Sequence, residues 1–217
     1  MLVGERMRRP VITIRAEMPI QDALKLMHTE HIRRVPVVDA RGRLVGLVSE
    51  MDLLKASPSE ATSLSIWEVH YLLSKITVER VMTREVITVA EQTPIEEAAR
   101  IMADNEIGGL PVLRGRELVG IVTETDLFRV FLELLGAREA GVRLAALVAN
   151  RPGELAKLTS AVYQAGGNFL ALVTSLGDST ENRLVTAKIE GIDLSDLRRI
   201  VEPLVQKVVD LRHTTSA

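Results

Sequence analysis

The chain reads as an α+β protein in three parts: two copies of a β-α-β-β-α unit, then a β-α-β-β-α-β segment. Three observations predict this. The sequence repeats itself at a spacing of 75 residues, apolar periodicity switches between strand-like and helix-like within each copy, and the pattern changes after Gly136. The implied boundaries are a first repeat over 1–57, a linker with a helical insert over 58–78, a second repeat over 79–135, a joint at 136–141 and a final domain over 142–217.

Of the 217 residues 47% are hydrophobic and 26% charged, enough apolar material for real cores and too much for a disordered chain. A net charge of −2 gives no basic footprint for nucleic acid. With 3% aromatic residues no stacking platform for bases can be assembled, so a flat ring bound here must lie against aliphatic side chains. The absence of cysteine excludes disulfides, thiolate nucleophiles and thiolate metal sites. No apolar run approaches the roughly 18–20 residues of a membrane span, and "MLVGERMRRP" lacks the apolar centre of a signal peptide. The expectation is a soluble cytoplasmic protein without a membrane partner.

The repeat is extensive. Met7 falls on Met82, Pro19-Ile20 on Pro94-Ile95 and Pro36-Val37 on Pro111-Val112; one residue then drops out at a turn, and Gly46, Ser49 and Asp52 fall on Gly120, Thr123 and Asp126. Each copy opens with a β-branched strand, 11–14 or 86–89. A helix follows, with Ile20, Ala23, Leu24 and Met27, or Ile95, Ala98, Ala99 and Met102, on one face. Two apolar strands come next, 35–38 and 44–48 or 110–113 and 118–122, joined by "DARGR" or "RGRE". Between the copies, Ser65 with Glu68 forms a capping-box pattern for a helix over 66–75 that carries Trp67, Tyr71 and Leu72 as a buried face.

Both copies run from strand to helix through "GLVSEMD" or "GIVTETD", for which two readings stand side by side. In one, Ser49 or Thr123 at the N-cap and Asp52 or Asp126 three residues on simply satisfy free backbone donors. In the other, the helix tip receives a phosphate and the carboxylate accepts two ribose hydroxyls.

The recurring "h-P-h-h", turn and "G-h-h-[S/T]-x-x-D" resemble a tandem pair of cystathionine-β-synthase (CBS) domains, a Bateman module, over residues 1 to 135. That resemblance implies two clefts about a pseudo-two-fold axis, commonly filled by adenine nucleotides such as AMP, ADP or ATP, or by other adenosine-containing ligands. It assigns Asp52 and Asp126 to ribose, Ser49 and Thr123 to phosphate, and Ile12, Ile87 and the segments before Pro36 and Pro111 to the adenine. The copies differ there: Arg33 and Arg34 precede "VPVV", while Gly108 and Gly109 precede "LPVL". Guanidinium groups grip phosphate and glycines allow only close backbone approach, which predicts inequivalent sites with phosphate-rich ligands at the arginine-bearing one.

In the last segment the spacing predicts a strand over 142–149 and a helix with Leu155, Leu158, Ala161 and Val162 on one face, ended by Gly166-Gly167. Strands over 169–176 and 184–189 follow, then a helix over 195–206 interrupted by Pro203, and a last strand over 208–213. "N-R-P-G-x-L" with the later "G-x-N" resembles the first half of an ACT domain, a ferredoxin-like regulatory module that often binds amino acids between paired subunits. Asn150, Gly153 and Asn168 match its ligand-lining positions. Val148 stands where serine-sensing members carry a histidine, so the resemblance does not extend to serine, and pairing into a homodimer can be the segment's whole role.

The order CBS, CBS, ACT resembles the acetoin-utilisation B protein family. It implies a non-catalytic regulator of an unidentified partner protein, with a dimeric assembly scaffold of vestigial clefts as the alternative. No P-loop, G-x-S-x-G or metalloprotease signature is present, and "HTEH" at 28–31 is a thin case for a metal pair; no enzyme and no metal are expected.

Overall fold

The computed structural model describes residues 1–56 and 75–215, so the insert helix with Trp67, Tyr71 and Leu72 lies outside the described residues. The chain divides into two compact units, Met1–Leu127 and Phe128–Ala217.

In the first unit, α1 (Val3–Arg6) precedes two equivalent halves. One holds β1 (Ile14–Arg15), α2 (Ile20–Thr29), β2 (Arg34–Val38), β3 (Leu44–Ser49) and α3 (Glu50–Lys55); the other holds β4 (Val89–Ala90), α4 (Ile95–Asp104), β5 (Gly109–Arg114), β6 (Glu117–Thr123) and the first turn of α5 (Glu124–Leu134), which continues past Leu127 into the second unit. Each half forms a three-stranded sheet, ordered β1-β2-β3 or β4-β5-β6, with a parallel first pair and an antiparallel second. The central strands are apolar runs because both their edges and faces are covered: Val35 to Val38 are all buried, as are Gly109 to Val112. Helices α2 and α4 start at Pro19 and Pro94 and bury Ile20, Ala23, Met27 and Ile95, Ala98, Met102.

The opening strands differ from the expected 11–14 and 86–89, since only Ile14–Arg15 and Val89–Ala90 form ladders. Proline is the reason. Pro36 lies opposite Leu47, whose N–H and C=O are both exchanged with Thr83, so Pro36 turns its nitrogen toward the β1 side and has no N–H to offer there. The parallel ladder therefore begins opposite Val37. Pro111 lies opposite Ile121, which exchanges bonds with Arg8, and the same limit applies to β4.

Those bonds reveal an exchange of lead-in segments. Val3 and Gly4 donate to the carbonyls of Thr93 and Glu91, Ile95 donates to Met1, and Arg8 bridges Ile121, so residues 1–8 complete the second half. Residues 76–83 complete the first: Ile20 donates to the Ile76 carbonyl, Val78 to that of Met18, and Thr83 bridges Leu47. Val78 and Met82 are part of the core that holds Ile20, Met27, Val35 and Leu53. Gly120 leaves room for the Met7 sulfur and Gly46 for that of Met82.

In the second unit β7 (Gly141–Ala149), α6 (Glu154–Gln164), β8 (Asn168–Leu176), β9 (Asn182–Glu190), α7 (Leu194–Val201) and β10 (Lys207–Thr214) form an antiparallel sheet ordered β10-β7-β9-β8. This is the ferredoxin-like arrangement. Alternate residues Leu144, Ala146, Val148, Val185, Ala187 and Ile189 pack under Leu158, Val162, Leu197 and Val201 of the helices. The second helix stops at Val201, short of the expected 206, and tightens into a 3₁₀ turn over Glu202–Leu204, because Pro203 cannot donate the next helical bond. Residues 136–141 are seated on this unit: Gly136 lies against Ala171 and Lys188, and the Lys188 ammonium donates to the Glu139 carbonyl and the Thr214 hydroxyl.

Candidate functional site

At both strand-to-helix tips of the first unit the aspartate accepts hydrogen bonds from the hydroxyl-bearing residue three positions before it, and at Ser49 the box is closed from both sides. Asp52 Oδ2 accepts from the Ser49 N–H at 2.9 Å and the Ser49 hydroxyl at 2.6 Å, while Ser49 Oγ accepts from the Asp52 N–H at 3.2 Å. Asp126 Oδ2 takes the Thr123 N–H at 3.0 Å and the Thr123 hydroxyl at 2.6 Å. The second oxygens differ. Asp126 is 4% exposed and its Oδ1 faces Arg8 Nε at 3.4 Å, whereas Asp52 is half-buried and Thr83 occupies the place corresponding to Arg8. Arg8 is thus a site residue that sequence reading missed; it sits one residue after Met7 in the exchanged segment.

Arg34 and the two glycines form one arrangement. Arg34 begins β2 and Gly109 begins β5, each opposite its own N-cap residue. The Arg34 side chain extends to the other half: a Cβ on Gly108 would collide with its guanidinium and with the Glu124 carboxylate, and one on Gly109 would come within 3.1 Å of its Cδ. Arg34 Nη2 lies 3.5 Å from Glu124 Oε2, with the two side chains 28% and 56% exposed. The arginine of the first repeat therefore occupies space left by the glycines of the second, beside the tip that carries Thr123 and Asp126. Arg33 is exposed. Glu124, the first residue of α5, is a second group that sequence reading missed, because its role depends on a contact across the repeats.

Ile12 and Ile87 lie in extended chain ahead of β1 and β4, and not on the strands as expected; Ile12 is partly buried and Ile87 is 39% exposed. Both precede the Pro-limited ladders, which leaves their backbone groups outside the sheet.

In the second unit Asn150 donates its side-chain amide to the Thr180 carbonyl and its N–H to that of Glu181. Gly153 caps α6 at φ +89°, with nothing within 4 Å of where a Cβ would stand. Asn168 donates to Glu190. Ala149 pairs with Asn182 at one end of β9 and Asn168 with Glu190 at the other, a separation of about 26 Å at 3.3 Å per residue, so one chain does not bring Asn150 and Asn168 together.

A cavity of about 450 Å³ lies elsewhere in the first unit, at the turn ends of the hairpins. Arg43, Arg84 and Arg116 line it with Val45, Val86 and Leu113. Arg43 donates its N–H and its guanidinium to Asp39 and holds that carboxyl below the ordinary aspartate range. His31 stands past the end of α2 at φ +52°, so "HTEH" is no helical pair, and His28 contacts Glu50 at 3.1 Å. Among the described residues no group of three or more His, Asp or Glu is placed to hold a metal, and no helix is long and apolar enough to cross a membrane.

The model of the CBS domain matches residues 3–59 and 78–133. Similar solved structures include the following three. The CBS domain pair of protein MJ0100, in complex with 5′-methylthioadenosine and S-adenosyl-L-methionine, is 34% identical, covering 60% of this chain and 95% of that one with a TM-score of 0.51. A Vibrio cholerae protein described as an acetoin utilization protein (AcuB) is 34% identical over 63% of this chain and 93% of its own, with a TM-score of 0.53. CBSX2 in complex with AMP is 28% identical over 60% and 96%, with a TM-score of 0.51. Among curated relatives, the L-aspartate semialdehyde sulfurtransferase of Methanocaldococcus jannaschii is 34% identical over 131 residues, of whose length this chain spans 23%. With both halves of the first unit matched and the same β-α-β-β-α element order found in each, the chain belongs to the CBS-domain family.

Proposed function

We propose that the protein is a non-catalytic regulator whose CBS pair senses an adenine nucleotide, AMP, ADP or ATP, or another adenosine-containing ligand, and whose second unit is an ACT-type domain. The observation that carries the reading is shared chemistry: similar CBS pairs hold 5′-methylthioadenosine, S-adenosyl-L-methionine and AMP, all built on adenosine. Asp52, with one carboxylate oxygen outside its cap, serves a ribose, and Ser49 lies beside the phosphate at the first tip. Asp126 and Thr123 serve the second, where Arg8 must yield the Asp126 oxygen and Arg34 supplies the phosphate contact. The aliphatic Ile12 and Ile87 flank the adenine, as a protein with 3% aromatic residues requires.

The molecule acts in the cytoplasm as a homodimer. Ligand binding alters the balance between arrangements of that dimer only by the difference in its affinity for them, and an unidentified partner protein reads the result. An amino acid bound between two ACT-type sheets, through Asn150 and Gly153 of one chain and Asn168 of the other, supplies a second input; the distance between these residues in one chain favours the shared site.

A scaffold with vestigial clefts is the second reading, and the burial and ion pairing of Asp126 favour it. The two are separated by thermal unfolding with AMP, ADP, ATP, 5′-methylthioadenosine and S-adenosyl-L-methionine, beside Asp52→Asn and Asp126→Asn. A ligand at about a hundred times its dissociation constant stabilises by about 2.7 kcal/mol per site. The sensor gives a rise in melting temperature for at least one ligand that a variant abolishes; the scaffold gives none.

A further inference from the structure

The cavity at the hairpin turns lies several residues along β3 and β5 from the capping boxes, and the nucleotide reading leaves it unused. Its volume of about 450 Å³ falls within the range of small-molecule sites, roughly 300–1,000 Å³. The lining joins both halves of the pair: Val45 from β3, Val86 from the chain before β4, and Leu113 from β5. Around these apolar groups stand three guanidinium groups.

Two of the three are held in place by carboxylates without being used up. Arg43 gives Nε and Nη2 to Asp39 Oδ2 at 2.7 and 2.6 Å, and Arg84 gives Nη2 to Glu79 at 3.1 Å. Each guanidinium has five N–H donors in a fixed plane, so Nη1 of Arg43, and Nη1 with Nε of Arg84, keep donors for a ligand on side chains already fixed. Arg116 is exposed and makes no hydrogen bond or ion pair among the described residues, so all its donors are available. Gly115 beside it, at φ +64°, has nothing within 4 Å of its missing Cβ, which keeps the entrance open. The internal repeat supplies an internal control. Arg43 corresponds to Glu117 in the other half, and Arg84 to Arg9, which donates to the Gly4 carbonyl and stands 3.9 Å from Glu91. The equivalent place across the pseudo-two-fold therefore has a carboxylate where an anion would need a cation.

We propose that this cavity is a second, single-copy ligand site of the CBS pair that takes a small polyanion with a short apolar body, such as a phosphorylated or polycarboxylate metabolite. Its anionic groups bind the donors of Arg84 and Arg116, with Arg43 as the fixed third contact, and its body lies on Val45, Val86 and Leu113. The proposal does not depend on adenosine binding at the capping boxes.

The test is amide chemical-shift mapping of the full chain by NMR during titration with pyrophosphate and, separately, citrate, each at constant ionic strength against sodium chloride. Saturable shifts at Thr88, Gly115 and Arg116 with at least one probe are expected, and the one that binds more tightly identifies phosphate or carboxylate as the source. Arg84→Ala combined with Arg116→Ala, two exposed positions, lowers the affinity at least about tenfold, and Asp126→Asn leaves it unchanged. Arg43→Glu, which copies the other half, abolishes binding. Shifts that do not saturate, that match the chloride control, or that persist in the double variant overturn the proposal.

Discussion

Replacing Asp52 or Asp126 by alanine removes the same atoms from the same local motif, yet the structure assigns the two changes different costs. At Asp52 the loss is a capping box on the six-residue helix α3, with the carboxylate half-buried, and such caps contribute about 1 kcal/mol. Asp126 is 4% exposed, so its removal leaves the Thr123 N–H and hydroxyl facing a space that water enters poorly. Buried donors left in this way cost about 1–3 kcal/mol, which with the cap gives about 2–4 kcal/mol. The Arg8 pair adds little, because Arg8 is 40% exposed and its 3.4 Å contact is screened. Asp126→Ala should therefore unfold about 1–3 kcal/mol more easily than Asp52→Ala, measured by urea titration with circular dichroism. The comparison is made on the transition that moves in both variants, since two compact units need not unfold together. Equal midpoints, or a larger loss at Asp52, would refute the assignment of extra cost to burial.

Arg34→Ala should weaken ATP about tenfold more than it weakens adenosine in calorimetric titration, while Arg33→Ala leaves the ratio unchanged; equal losses for both ligands would remove Arg34 from the phosphate site. Gly46→Ala and Gly120→Ala each drive a methyl into a methionine sulfur and toward a backbone carbonyl 3.1 Å away, at a cost of about 1–3 kcal/mol in thermal unfolding. Trimming the facing side chain, Met82→Ala with Gly46→Ala, should recover part of that loss relative to the sum of the single changes. In the second unit the side-chain bond from Arg212, and then that from Arg143, hold the Asp210 carboxyl below its ordinary 3.8. A depressed folded value stabilises above the unfolded one and is lost as pH falls through the folded one, so the deficit of Asp210→Asn should be constant above about pH 5, shrink as pH falls past 3.8 and vanish only below the lowered folded value in acid titrations.

Much of this architecture is legible in the sequence because the repeat constrains it twice. The alignment of Pro36-Val37 with Pro111-Val112 locates both central strands, and the helical spacings of Ile20, Ala23 and Met27, and of Leu158 and Val162, give the buried faces that the structure shows. The Ser49 and Thr123 boxes are visible as patterns of hydroxyl and carboxylate three residues apart. The exchange of lead-in segments is not legible, since Met7 and Met82 correspond to each other whichever half each one packs into. The same blindness hides the Arg34 contact: a list of unlike residues, arginines here and glycines there, does not disclose that one fills the gap left by the other. The short first strands follow from the direction of the Pro36 nitrogen, which depends on register. Asn150 and Asn168 share a motif in sequence and lie at opposite ends of β9 because α6 carries the chain back along the sheet.

The exchanged segments also set an order of events during synthesis. When residues 1–8 leave the ribosome, the strand that Arg8 will bridge and the turn that Val3 and Gly4 will bond are still about 85 to 115 positions away along the chain. A ribosome adding about 5–20 residues per second leaves this segment without its partners for several seconds, with Val3 and Met7 exposed. The first half is not complete either until residue 83 emerges, and the second cannot close without a strip of chain made long before. Each of the two matching repeats is thus finished by chain made outside it, and a change at Val3 is felt at Thr93, made about 90 positions later.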